Sequence, residues 1–293
     1  MGIKPVGKGE YFNMFRRLIS VIMAFTLIFA SGPAAFGAVA EKLEGHWSKS
    51  LISDEFTTRY FPYLAKEDFK GLSPDGSISR VDFTLSSASL FKDNGYTVDG
   101  IAAPGTLTRR GMADILGERL IQIGMRPAQD HQMPFGDVSS LQMETQNNLR
   151  LLHREGIING ESNSVFNPGR NLTQAEAIIV LQRTQSAIRD WRNISFMTLG
   201  VTQNYSNQEE VTTRVSENVV TLVVTKEFPT PGYTIRVDSI RREADHFRVD
   251  FIITPPDPGT IVPQVITYKT ITIEIDRKEL GEPPYDFSVE GFR

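Results

Sequence analysis

The sequence predicts a multi-domain chain, helical first and β second, and three observations carry that reading. Capped helix entries recur at Ser79, Thr108 and Thr173. From Val219 onward apolar residues alternate with polar ones, the period of strands. The alternating runs are joined by Pro- and Gly-rich connections at residues 229–232 and 255–259.

The N-terminus is a targeting segment by its pattern. Arg16 and Arg17 precede a 13-residue apolar run, residues 18–30, well short of the ~20 residues that span a bilayer. Ala38-Val39-Ala40 follows with small residues where a signal peptidase reads, so residues 1–40 form a secretory signal peptide on this reading. Its removal takes away Lys4, Lys8, Arg16, Arg17 and Glu10 and moves the formal net charge from −4 to −7. The expectation is an acidic exported protein with no membrane contact after cleavage. A chain of 293 residues suits about two domains. It holds no cysteine, which excludes disulfides, thiol catalysis and cysteine-ligated zinc. Its negative balance gives no reason to expect nucleic acid as a partner.

Residues 41–190 read as helical. In residues 144–155, Leu149 and Leu152 share a face, and Gly156 follows as a helix-ending residue. Residues 167–169, Asn-Pro-Gly, carry loop chemistry. Thr173 then caps a helix with Glu176 completing the T-x-x-E box. Apolar residues lie nearly all round that helix, which predicts burial between neighbours. Ser79 caps with Asp82 three residues on. Thr108 caps a helix over residues 109–123, but Gly111 stands at the box position, so only half a box exists. Caps spaced by 29 and then 65 residues exclude an even tandem array.

Residues 191–293 read as a small antiparallel β domain. Residues 219–226 are β-branched and nearly all apolar, suiting an inner strand. Tyr233, Ile235 and Val237 share one face, as do Phe247, Val249, Phe251 and Ile253, and Ile271, Ile273 and Ile275. The polar residues 200–210 are either a long connection or a weak first strand. The tail from Gly281 is expected to be loosely held.

The third helical unit resembles an S-layer homology repeat. Phe135-Gly136-Asp137-Val138, a helix to Glu155, Gly156-Ile157-Ile158-Asn159-Gly160, Phe166-Asn167-Pro168 and Leu172-Thr173-Gln174-Ala175-Glu176 stand in the family's order. The first unit follows more loosely, with His46-Trp47, Pro74-Asp75-Gly76 and Ile78-Ser79-Arg80-Val81-Asp82-Phe83; the second keeps Leu107-Thr108-Arg109-Arg110. The resemblance implies that residues 41–190 form a helical pseudo-trimer bundle with grooves between its units. It also implies non-covalent binding to a peptidoglycan-linked secondary polysaccharide, often through an acidic ketal-pyruvate sugar, at the cell wall or surface of a bacterium. Residues 232–235, 258–259 and 264–268 are similar to the C-terminal domain of the PrcB protease-complex family. That resemblance implies a protein-interaction domain beside a secreted protease or another surface protein, with no chemistry of its own.

Arg80 and Arg109 occupy the repeat family's motif position after the cap. A planar guanidinium binds a carboxylate through two parallel hydrogen bonds, and the first turn of a helix already favours anions. The alternative for each is a solvated or structural arginine. Gln174 holds the position in the third unit and offers hydrogen bonds without charge. Trp47 is a candidate for stacking on a sugar face, although its large apolar area favours the core. Arg80, Arg109, Trp47 and Gln174 are therefore the candidate glycan contacts. Asp137 is expected to cap the first helix of its unit.

No catalytic constellation stands out. His46, His131, His153 and His246 include no H-x-x-x-H pair, and there is no G-x-S-x-G elbow or P-loop. Asp82 and Glu176 sit at capping positions, where a carboxylate already has a task. The absence of a convergent acid pair argues against a glycan hydrolase. The expectation is a non-enzyme without cofactor or metal.

Overall fold

The computed structural model describes residues 38–98, 103–126 and 131–289. The signal-peptide reading falls, up to residue 37, outside the described residues. The chain divides into two compact units between Gly76 and Ser77.

The described part of the first unit holds three short helices, α1 (Ala38–Lys42), α2 (Asp54–Tyr60) and α3 (Pro62–Phe69). Ser53 caps α2 by accepting from the Phe56 N–H at 3.3 Å. Pro62 opens α3, where a missing N–H costs nothing. Val39, Leu43, Phe56, Phe61 and Leu64 are buried. Trp47 is not in this core: it is 59% exposed. Leu43 takes the interior position, and the His46 ring hydrogen-bonds to Ser48 Oγ at 2.7 Å and Asp75 Oδ1 at 3.2 Å. Those ties hold the 46–48 turn so that Trp47 faces water.

The second unit begins with α4 (Arg80–Asp93) and α5 (Arg109–Gln122), followed by a 3-10 turn (Gly136–Val138), α6 (Met143–Arg154) and α7 (Gln174–Arg192). Each of α4, α5 and α7 starts as its sequence dictates. Ser79 Oγ accepts from the Asp82 N–H at 3.0 Å, Thr108 Oγ1 from the Gly111 N–H at 3.1 Å, and Thr173 Oγ1 from the Glu176 N–H at 3.2 Å. The Glu176 carboxylate answers by accepting from the Thr173 N–H at 3.0 Å, which completes the box. Burial round α7 follows from its composition: Ala175, Ala177, Ile178, Ile179, Val180 and Leu181 are all buried.

Seven strands follow among the described residues: β1 (Met197–Asn204), β2 (Glu210–Val215), β3 (Val219–Phe228), β4 (Thr234–Arg242), β5 (Phe247–Thr254), β6 (Thr267–Asp276) and β7 (Phe287–Val289), with the short helix α8 (Arg277–Leu280) before the last. One sheet has the order β1-β6-β3-β2 and the other β4-β5-β7. The inner strands β3 and β6 meet in an antiparallel register that sets Leu222 opposite Ile273. Val220, Leu222, Val224, Ile271, Ile273 and Ile275 are fully buried and share one core with Val237, Ile240, Phe247 and Val249 of the other sheet. Burying each such side chain contributes about 1.5–3 kcal/mol.

Three details depart from the alternation. A register shift between Val237 and Ser239 turns Ile240, rather than Ser239, into the core. Ile253 is exposed because β5 runs past the end of the core. The polar stretch is strand at both ends, since β1 reaches Asn204 and β2 begins at Glu210. The tail is a fourth departure. Tyr285 Oη donates to the Gly281 carbonyl at 2.7 Å and accepts from Arg277 Nε at 3.1 Å. Phe287 then packs 5.3 Å from the Phe247 ring, and β7 pairs in parallel with β5. The tail is thus held, and the β part is mixed rather than wholly antiparallel.

Candidate glycan site at three helix N-termini

Ile78, Leu107 and Leu172 each stand one residue before a cap, and all three are buried. The Ile78 N–H donates to the Leu172 carbonyl at 3.1 Å, the Leu172 N–H to Leu107 at 2.8 Å, and the Leu107 N–H to Ile78 at 3.1 Å. These bonds close a ring. Isolated bridges pair Ser79 with Thr106, Thr108 with Asn171, and Thr173 with Ser77 in the same cyclic order. The three entries therefore meet round a pseudo-threefold axis despite their uneven spacing in sequence. The ring gathers the N-termini of α4, α5 and α7, whose dipoles favour anions, although at α5 the first three N–H groups are already bonded to the Arg170 and Pro168 carbonyls and to Thr108 Oγ1.

The cyclic order sets the first residue of one helix against the third residue of the next. At the α5–α7 junction these are Arg109 and Glu176, with Nη1 3.1 Å from Oε1. Arg109 also donates from Nε to the Phe166 carbonyl at 2.7 Å and from Nη2 to the Asn159 carbonyl at 2.8 Å. Its guanidinium lies 4.4 Å over the Phe166 ring. At 6% exposure, Arg109 is an interior tie and not the open cation that its sequence position suggested. Burial pushes its pKa down, and Glu176 opposes that shift. Burial alone would raise the Glu176 carboxyl, but hydrogen bonds from Arg170 and the Thr173 N–H, with the Arg109 charge, hold it below the usual range.

At the α4–α5 junction the corresponding residues are Arg80 and Gly111. Arg80 Nη2 lies 3.0 Å from the point a Cβ on Gly111 would occupy. The glycine vacates the place that an acid fills at the other junction. Arg80 is half-buried, and its guanidinium has no hydrogen bond or ion pair among the described residues. Gln174 occupies the first position of α7 and is half-buried, next to the Thr173–Ser77 bridge.

Asp137 does not cap a helix. It lies in the 3-10 turn, and its carboxylate accepts from the Phe166 N–H at 3.0 Å and the Asn167 N–H at 2.7 Å. Helix α6 instead starts at Met143, and Gln142 before it makes no side-chain cap. The Asp137 clamp holds Asn167 at φ 58° and sets Phe166 beneath Arg109. Sequence reasoning missed Arg170, whose Nη2 is 2.5 Å from Glu176 Oε1 and which also pairs with Glu161. A comparison of the third helical positions, Asp82, Gly111 and Glu176, would have exposed the asymmetry between the junctions. His131 Nε2 and His153 Nδ1 share a hydrogen bond at 2.8 Å, and burial followed by the His131 neighbour lowers the His153 pKa.

On the far side of α7, Arg192 fastens the helices to the sandwich. Its Nη2 lies 3.1 Å from both Glu243 oxygens, and its Nη1 donates to the Asn94 carbonyl at 3.1 Å. Arg242 stacks 4.7 Å over the Trp191 ring and 5.0 Å over Phe247. A cleft of about 940 Å³ opens there, with basic and acidic side chains mixed along its walls.

Residues 134–178 match the model of the S-layer homology domain, and residues 219–276 match the model of the PrcB C-terminal domain. No curated protein matches the chain. The first match points to cell-wall anchoring at the envelope and the second to a protease-associated role. The first covers the Asp137 clamp, α6 and the start of α7. The second runs from the start of β3 to the end of β6. Among the described residues no helix is long and apolar enough to cross a membrane.

Proposed function

We propose that this is an exported, non-catalytic envelope protein held reversibly to a secondary wall polysaccharide, with Arg80 as its principal anionic-sugar contact. The observation that carries the reading is the junction between α4 and α5. Arg80 keeps an uncompensated charge at the gathered helix N-termini because Gly111 supplies no acid. A pyruvate-type carboxylate suits such a cation through charge-assisted bonds. Gln174 is an accessory candidate for sugar hydroxyls, and the exposed Trp47 of the first unit is by itself a candidate for stacking on a sugar face. Arg109 is left out because its donors are already taken. Purified sacculi test this directly. The exported chain pellets with intact walls, stays in solution with walls stripped of secondary polysaccharide, and loses pelleting with Arg80→Ala. Equal pelleting with stripped walls would sink the anchoring reading.

A second reading, an accessory stabiliser or inhibitor of a secreted protease, rests on the connection between β5 and β6. Ile261 there is 99% exposed, on a loop whose base is turned by a Thr260 N–H to Asp257 carbonyl bond of 3.0 Å. A lone aliphatic side chain so presented suits an apolar pocket on another protein. A tagged chain recovers an exported protease on this reading, and Ile261→Asp loses it; recovery of the same protease by the variant removes the loop from the contact.

A further inference from the structure

The β1–β6 and β3–β6 registers set Gln203, Lys269 and Lys226 side by side in one row across the first sheet. Lys269 stands two residues before Ile271 on β6, so it shares the core-facing side with Ile271, Ile273 and Ile275. An apolar residue would complete that face, yet the position holds a cation that is only 9% exposed. Its Nζ donates to Gln203 Oε1, a neutral amide oxygen, at 2.9 Å. An ammonium has donors to spare beyond this one, and no carboxylate lies in ion-pair range of Nζ among the described residues. Buried Arg109 has Glu176 to answer its charge; Lys269 has no such acid. Lys226, directly opposite on β3, pairs instead with Glu209 at 3.7 Å. Like charges set opposite each other across strands repel, which sharpens the imbalance at Lys269. Burial lowers the Lys269 pKa.

Gln203 links this amine to solvent. Its Nε2 donates to Tyr205 Oη at 3.2 Å, and Gln203 and Tyr205 are both exposed. Tyr205 Oη accepts that bond and keeps its own proton to give. We propose that this end of the row is a carboxylate-binding site, in which Lys269 Nζ supplies the charge, Tyr205 Oη a second donor, and Gln203 the bridge between them. A monoanion suits one uncompensated cation, and a chain of formal net charge −4 repels a dianion more strongly. An enclosed charge left without a counter-ion is costly, and an arriving carboxylate removes that cost. The group comes from an acidic side chain of another exported protein or from a free organic acid, which present the same chemistry.

Sodium acetate is the probe, titrated at constant ionic strength against sodium chloride. The exported chain carries Arg80→Ala, which removes the wall-sugar contact proposed above, so the two readings fail separately. The Lys269 side-chain resonances, assigned by their loss in Lys269→Met, shift and saturate. The Lys269 pKa rises by about half a unit at about twice the acetate Kd, because acetate binds the protonated form. Melting rises in acetate relative to chloride, and the rise is lost with Lys269→Met and kept with Lys278→Met, at an exposed lysine of α8. Lys269→Met melts no lower than its parent, since it removes an uncompensated charge. Tyr205→Phe, at the surface, leaves the fold intact and weakens acetate about threefold or more, the worth of one hydrogen bond. A tripeptide amide bearing a single glutamate that reproduces the acetate shift assigns the site to a protein side chain; failure of the peptide where acetate succeeds assigns it to a free acid. Lys269 resonances unmoved by acetate overturn the proposal, as does a rise in melting that survives Lys269→Met.

Discussion

Arg109 Nη1 lies 3.1 Å from Glu176 Oε1, which joins the first residue of α5 to the third residue of α7 across 67 positions of sequence. Both side chains are largely buried. Removing Glu176 leaves the buried Arg109 charge with only neutral carbonyl partners, whereas removing Arg109 leaves Glu176 still paired with Arg170; breaking a buried pair costs up to about 3–5 kcal/mol. Arg109→Ala and Glu176→Gln are each expected to lower the denaturation midpoint by that order. The double variant is expected to lose less than the two singles combined, because the stranded charge is gone. Additive losses in a double-mutant cycle would show that the pair is not coupled.

Gly111 decides whether the neighbouring junction is open. A Cβ there meets Arg80 Nη2 at 3.0 Å, Leu107 Cδ1 at 3.1 Å and Thr108 Oγ1 at 3.4 Å. The nearest of these is the far end of a flexible side chain, so Gly111→Glu is tolerated and rebuilds at α4–α5 the pair seen at α5–α7. Replacing this first-turn glycine also gains some helix propensity, less than the roughly 1 kcal/mol of a helix interior. The expectation is unchanged or higher thermal stability with wall affinity down roughly tenfold or more, the loss of one charge-assisted bond of about 1.5–3 kcal/mol. Undiminished pelleting by a folded Gly111→Glu chain would remove Arg80 from the site.

Acid should loosen the second unit through its low-pKa carboxylates. Burial would raise Asp250, but hydrogen bonds from Arg248, Arg241 and Ser239 hold it below the ordinary range, and Glu176 is held down as described. A carboxyl whose folded pKa is depressed gives stability that is fully present above its unfolded value and lost as pH falls through the folded value. With ordinary values of 3.8 for Asp250 and 4.5 for Glu176, the loss belongs below about pH 4.5. Denaturation midpoints measured at steps of pH should fall there less steeply in Glu176→Gln than in the wild type. Parallel curves would mean that Glu176 titrates normally in the folded chain.

Local structure was legible because it depends on neighbours in sequence. Ser79, Thr108 and Thr173 announced their helices, and Ile271, Ile273 and Ile275 announced a buried face of β6. Both domain resemblances were legible as ordered landmarks in the third unit and in the β domain. The fate of each arginine was not, because it is set by the third residue of a different helix. Arg80 and Arg109 follow caps of the same kind, and only the fold shows that one faces Gly111 and the other Glu176. Trp47 misled for a similar reason: its apolar area argues for burial, while the His46–Ser48 and His46–Asp75 bonds turn it outward. The tail from Gly281 looked weak because a three-residue parallel strand leaves no periodic signal.

The β5–β6 loop rests on a glycine, which gives a test that separates presentation from contact. A Cβ on Gly232 would stand 2.8 Å from Pro256 Cβ and 2.8 Å from Val262 Cγ1. Pro256 is a rigid ring, so the loop base must move to admit a methyl group. Gly232→Ala is expected to cost about 1–3 kcal/mol, the range for overpacking, and to displace Ile261 without altering it. Ile261→Asp, at a side chain in open solvent, is expected to leave the melting temperature unchanged. If the loop is a docking element, both variants lose the protein partner while both still pellet with sacculi, because neither touches the helix N-termini. Partner recovery that survives Gly232→Ala but not Ile261→Asp would mean that the side chain docks without needing its base held. Loss of wall binding in either variant would tie the β domain to anchoring and undo the division of tasks proposed for the two parts of the chain.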